Sequence, residues 1–173
     1  MRRRFALVAA MLVGLATITT PVASASSPPT NAVQGYQHQS GDIPNTGLCA
    51  TPVASHYEDW VPYTDYTLKD GKIREVGKWT ERDTFTANGK TVVGDLYTYH
   101  YTILASDANF DSNTVIYSYV IVGTIFNVKL PHGPKLVTWG YVDVTNVPLG
   151  VPFWTVDYGH NADYKLLCAY FFG

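Results

Sequence analysis

Over residues 97–103, apolar and polar side chains alternate: Tyr97, Tyr99, Tyr101 and Ile103 take the odd positions, with Thr98, His100 and Thr102 between them. Successive side chains of a strand point to opposite faces, so this is the period of a strand with one buried face. Residues 114–130 read differently. Val115, Tyr117, Tyr119 and Ile121 share one face, while Ile116, Val120, Val122 and Phe126 share the other. That pattern predicts a strand covered on both sides or bent at Gly123, and its length suits a tilted, coiled barrel strand.

Turn chemistry places the neighbours. Asp70 and Gly71 separate residues 63–68 from 73–85, and Asn88 and Gly89 separate the latter from 91–104. Both dipeptides tolerate the positive φ of tight hairpins. Residues 106–113 form a polar loop, Pro131, His132, Gly133 and Pro134 a turn, and 146–150 a further break. Between these breaks lie strands at 114–130, 135–145 and 151–158, with a last strand at 164–172. No helical pattern long enough for a crossover separates them, so the expected fold is all-β, an antiparallel barrel of about eight strands. A two-sheet β-sandwich is the alternative, and no internal repeat is visible.

The ends of the chain define its organisation. Arg2, Arg3 and Arg4, an apolar run over 5–18 and the small residues Ala23, Ser24 and Ala25 predict a secretory signal peptide at 1–25, hence a secreted, extracellular protein. The run has about 14 residues, short of the roughly 20 a membrane span needs, so no membrane span is expected. Residues 26–47 are rich in Ser, Pro, Gly, Gln and Asn, with only Val33, Tyr36 and Ile43 as large apolar or aromatic residues, and read as a flexible leader. Residues 48–173 read as one domain. Without the signal, 12 − 3 = 9 basic side chains face 14 acidic ones, a formal charge of −5 that argues against a nucleic-acid partner. In an oxidising compartment the two cysteines, Cys49 and Cys168, are expected to form one structural disulfide.

Candidate chemistry is sparse. No Gly-x-Ser-x-Gly elbow and no phosphate-binding glycine loop occurs, and no cofactor is expected. Asp107, Asn109 and Asp111 alternate like the start of a calcium loop, but Ser112 and Ser118 stand where that motif needs Gly and the closing Glu, so a polar turn is the expected reading and no metal is assigned. His100 becomes a general acid or base only if the polar face of its strand lines the interior; with the tyrosines inward it lies on the surface. Glu58, Glu75, Glu81 and Asp95 are carboxylates that spacing alone cannot pair for glycoside cleavage. Aromatic residues are the strongest signal, with 13 Tyr, 7 Phe and 4 Trp. A flat apolar body with a polar tip suits a ligand cavity, and Tyr97, Tyr99, Tyr101, Tyr117, Tyr119 and Trp139 are the expected lining.

From Cys49 through the Asp-Gly and Asn-Gly hairpins to Leu167, Cys168 and Ala169, the layout resembles small secreted actinobacterial proteins whose function is unknown. The barrel is also similar, more distantly, to dirigent and allene-oxide-cyclase-like β-barrels, which hold a lipophilic cavity inside about eight antiparallel strands. The leading expectation is a non-enzymatic barrel that binds a small apolar or aromatic molecule. That resemblance carries over no functional residue; the alternative reading is a cyclase- or dirigent-type enzyme shaping a reactive intermediate in the barrel, with His100, Tyr99 or Asp95 as the candidate residues that assist. A third class is an extracellular interaction or inhibitor module using exposed tyrosines.

Overall fold

The computed structural model describes residues 31–110, 113–147 and 156–173. Eight strands and one helix follow in chain order: β1 (Asn31–Ile43), β2 (Ala54–Thr67), β3 (Ile73–Ala87), β4 (Lys90–Val93), β5 (Tyr97–Ala105), β6 (Ile116–Lys129), β7 (Lys135–Asp143), β8 (Gly159–His160) and α1 (Tyr164–Phe172). All strand pairs are antiparallel, in the order β1-β2-β3-β5-β6-β7-β8, with β4 beside β3. The fold is therefore all-β. Among the described residues β1 and β8 do not pair, and the sheet is not closed into a barrel.

Both hairpins form where the turn residues place them. Leu68 N–H donates to Lys72 O across Asp70 and Gly71, and Asn88 and Gly89 take φ of 49° and 70° between β3 and β4. The strand expected at 91–104 is in fact two, because the chain leaves β3 after β4 and crosses at Gly94. Gly94 N–H donates to Asp83 O and Asp95 N–H to Asn127 O, which carries the chain from one edge of β3 into β5.

Three expectations are corrected. Residues 31–43, assigned to a flexible leader, form β1, paired residue by residue with β2 from Asn31 opposite Thr67 to Ile43 opposite Ser55. Composition underrates such a segment because backbone hydrogen bonds, not apolar side chains, hold it. Gly35 and Gly41 also let the rings of Tyr63 and Tyr57 lie over the strand; a Cβ at either position would come within 3 Å of the ring.

The segment 164–172, read as a closing strand, is α1. Asp163 caps it by accepting from Lys165 N–H, and Leu167 and Phe171, four residues apart on one face, are buried. Cys168 therefore ties a helix, not a strand, to Cys49 in the β1–β2 connection. The strand expected at 151–158 falls mostly outside the described residues, and β8 contains only Gly159 and His160.

Of the two readings of 114–130, coverage on both sides is the one β6 does not follow, since Tyr117 and Val122 are exposed, while Gly123 takes a φ of 135°. Its register slips against β5 near Ala105 and against β7 between Thr124 and Phe126. Each slip moves the buried face from one parity to the other, so Ile121 and Ile125 point inward before the second slip and Phe126 and Val128 after it.

The interior divides into two clusters. One packs α1 against Phe85, Val92, Phe126, Val128, Leu130 and Leu136. The helix is held there by Asn88 Nδ2, which donates to Phe171 O at 3.0 Å, and by the Thr138 and Tyr164 hydroxyls, 2.6 Å apart. The other gathers Val61, Trp79, Tyr97, Tyr99, Tyr101, Ile103, Ile121 and Val142. This second cluster carries the polar groups described next.

A candidate site on the inner face of the sheet

The pairing of β2 with β3 and of β3 with β5 runs without a register shift, so odd-numbered residues of all three strands stay on one face. That face is the buried one. It receives Asp59 and Asp65 from β2, Glu75, Glu81 and Asp83 from β3, and Tyr97, Tyr99 and Tyr101 from β5, every one of them buried. Asp59 stands opposite Glu81, Asp65 opposite Glu75, and Tyr57 opposite Asp83. No Lys or Arg of β1, β2, β3 or β5 shares the face, because Arg74, Lys78 and Arg82 occupy even positions of β3. The five acids lie along this face in two sets, Asp59, Glu81 and Asp83 toward one end and Asp65 with Glu75 six positions along the strands.

Tyrosine hydroxyls satisfy part of this set. Tyr97 Oη donates to Asp83 Oδ2 at 2.8 Å, Ser55 Oγ to Asp83 Oδ1 at 3.3 Å, and Tyr101 Oη to Glu75 Oε1 at 2.7 Å. Burial disfavours the ionised form of a carboxyl, and a second carboxylate nearby adds to the effect. Burial accordingly pushes Asp59 up to about 6, against the opposing pull of the Gln39 backbone N–H and of His38. Glu81 lies well above the usual carboxylate range, through burial first and the charge of Asp83 second. Asp83 is raised by burial, with Tyr97 and Ser55 opposing. Burial likewise raises the phenols of Tyr97, Tyr99 and Tyr119, with Glu81 contributing to each, so all three remain neutral donors.

Aromatic rings complete the face. Trp79 stacks on Tyr99 with centroids 5.7 Å apart and planes 9° apart, and meets Tyr101 edge-on at 6.1 Å. Tyr119 of β6 meets Tyr101 edge-on at 6.4 Å. Gly77, opposite both Tyr63 and Tyr101, leaves room for the latter's ring, since a Cβ there would come within 2.5 Å of it. Toward β1 the face is more open, with Gln37, Gln39, Tyr57 and Tyr63 half-buried.

Of the six aromatic residues expected to line a ligand site, Tyr97, Tyr99 and Tyr101 point inward, and Tyr119 packs against the same cluster. Tyr117 and Trp139 do not join them. Both are exposed on the outer face, where Trp139 stacks on His160 at 5.5 Å. His100 is also exposed, between the inward Tyr99 and Tyr101. Asp95 forms a surface ion pair with Lys135 at 3.1 Å. The trio His100, Tyr99 and Asp95 is thus not assembled into one site. Glu58 pairs with Arg82 at 2.9 Å on the outer face, which separates it from Glu75 and Glu81.

In the loop after β5, Asp107 accepts from Asn109 N–H at 2.9 Å and from the hydroxyls of Ser106 at 2.8 Å and Thr114 at 3.0 Å, so its oxygens serve the turn. Asp111 lies outside the described residues. Among the described residues no group of three or more His, Cys, Asp or Glu side chains is arranged to hold a metal ion.

Sequence reasoning missed Asp65, Asp83 and Trp79, and it read Asp59 only as a carboxylate near His56, which instead pairs with Asp42. Their signal was present: once the odd positions of β3 are assigned to the core by Ile73, Trp79 and Phe85, the acids at 75, 81 and 83 follow by parity. No helix among the described residues is long and apolar enough to cross a membrane. No protein-family model, curated protein or solved structure matches this chain.

Proposed function

We propose that this is a secreted, barrel-like binding protein whose inner sheet face takes a small ligand with a flat apolar or aromatic body. The observation that carries this reading is the ring cluster of Trp79, Tyr99, Tyr101 and Tyr119 beside buried hydrogen-bonding carboxyls. Rings offer apolar area to a ligand body and the carboxyls and phenols fix its polar end, the combination expected of a small-molecule site. Binding is favoured over cyclase-type catalysis because His100 and Asp95 stand on the outside, apart from Tyr99. The cleavable N-terminal pattern at 1–25 and the Cys49–Cys168 disulfide support export.

Tryptophan fluorescence during titration with small aromatic compounds tests the reading. Saturable quenching is expected, lost in Trp79→Phe and weakened at least tenfold in Tyr99→Ala. Quenching that survives Trp79→Phe would place the ligand at one of the other tryptophans, such as the exposed Trp139, and overturn this site. Export is checked by the mass of protein recovered from the culture medium, expected to correspond to a chain beginning at Ser26.

A further inference from the structure

We propose that the outer edge of β1 is an interface at which two copies of this chain pair, strand to strand and antiparallel, about a two-fold axis through His38. The inference is independent of the ligand reading above. β1 stands at one end of the sheet, with β2 as its only strand neighbour among the described residues. Alternate N–H and C=O groups of such a strand point away from its neighbour, so a row of backbone donors and acceptors along 31–43 faces outward. Edges are ordinarily kept from pairing by shortness, by Lys or Pro, or by a bulge. β1 has none of these devices. It runs for 13 residues in unbroken register with β2, holds no Lys, Arg or Pro, and has Asp42 as its single acid.

The partner is a second β1 because the strand complements itself. With the axis at His38, positions equally spaced on either side of it face each other across the joint. Val33 then meets Ile43, the two large aliphatic residues of the strand; Gln34 meets Asp42, so the acids do not face each other; and Gly35 meets Gly41. The rings of Tyr63 and Tyr57 lie over those two glycines, where a Cβ would come within 3 Å of either ring. Facing glycines therefore bring Tyr63 of each copy beside Tyr57 of the other and close an aromatic strip over the joint, a cross-strand contact of the kind that stabilises sheets. Moving the axis by one residue, to Gln37 or Gln39, breaks all three matches. Antiparallel pairing about this axis makes one continuous sheet, with the inner faces of both copies on the same side.

Sedimentation of the purified protein at micromolar concentration tests the pairing, and a dimer is expected. His38 is exposed, and His38→Lys sets two lysines opposite each other at the axis. That variant should be monomeric while still melting cooperatively. His38→Cys should cross-link to its own copy under mild oxidation, since directly opposite Cα atoms lie about 4.5–5.5 Å apart, within disulfide reach. Gln34→Cys, which faces Asp42, should not. Should His38→Lys fail to fold, the two cysteine variants decide. A parent that stays monomeric at high micromolar concentration would overturn the proposal. So would a dimer that survives His38→Lys and leaves His38→Cys without a cross-link, because another surface would then hold it. Cross-linking of Gln34→Cys in place of His38→Cys would reject the axis and the register with it.

Discussion

Asp59 on β2 and Glu81 on β3 stand directly opposite each other across an antiparallel pair, both buried on the inner face of the sheet. Like charges in that position repel, and burial removes the water that would screen them. Burial raises both carboxyls, Asp59 to about 6 and Glu81 well above its usual range, where the charges of Asp83 and then Asp59 add to the effect. A pair of this kind is a reserve of unmade electrostatic interaction. It can be relieved by acid, which makes the following expectation independent of any ligand.

The stability of the protein should decline as pH rises through neutrality. A carboxyl whose folded pKa exceeds its unfolded value, near 3.9 for Asp, stabilises the fold fully below that unfolded value and loses the contribution as pH rises through the folded one. For Asp59 the window runs from about 4 to about 6, and Glu81, raised well above its usual range, contributes in the same direction. Thermal melts should therefore show Tm falling by several degrees between pH 4 and pH 8, a few degrees being worth on the order of 1 kcal/mol in a domain of this size. Asp59→Asn and Glu81→Gln should flatten that slope and exceed the parent in Tm at pH 8. A parent Tm that is constant or rising over this range would contradict the protonated pair.

Gly77→Ala should cost stability out of proportion to one methyl group. The added Cβ would meet the Tyr101 ring at 2.5 Å, displacing the hydroxyl that donates to Glu75. Overpacking and the lost buried hydrogen bond together suggest about 2–4 kcal/mol. Denaturant unfolding of Gly77→Ala alone and in a Tyr101→Phe background measures it. A penalty that persists undiminished when the Tyr101 hydroxyl is already gone would assign the whole cost to the ring clash.

Reduction of the Cys49–Cys168 bond should lower Tm substantially, because it opens a loop with a sequence separation of 119 residues. Chain entropy assigns such a closure at most about 4–5 kcal/mol. The loss should appear first where α1 leaves the sheet, as exposure of Leu167 and Phe171 to a hydrophobic dye. Free-thiol titration of the unreduced protein finding two thiols would refute the bond.

A broad-specificity protease should cut slowly within residues 31–43, and backbone amides of β1 that donate to β2 should exchange slowly with deuterium. Protection of those amides is expected in the native state, and its loss in Gly35→Val, where the larger side chain meets the Tyr63 ring. Rapid exchange along all of 31–43 in the parent would restore the leader in place of the strand.

Local pattern determined a good part of this protein. The alternation over 97–103 set β5 and its inward tyrosines, the Asp-Gly and Asn-Gly dipeptides set both hairpins, and two cysteines behind an N-terminal export pattern pointed to the disulfide. These features are legible because each depends on neighbours in sequence: side-chain period, tolerance of positive φ, and compartment. The tertiary structure alone decided the rest. β1 exists through backbone pairing with a strand some twenty residues away, so its polar composition concealed it. The apolar run at the C-terminus was equally compatible with strand or helix until Leu167 and Phe171 found a floor to pack against. The acids at 59, 65, 75, 81 and 83 were legible as polar positions, and polar positions ordinarily face water. What turned them inward is register: three strands paired without a slip carry their odd positions to one face, whatever those positions hold.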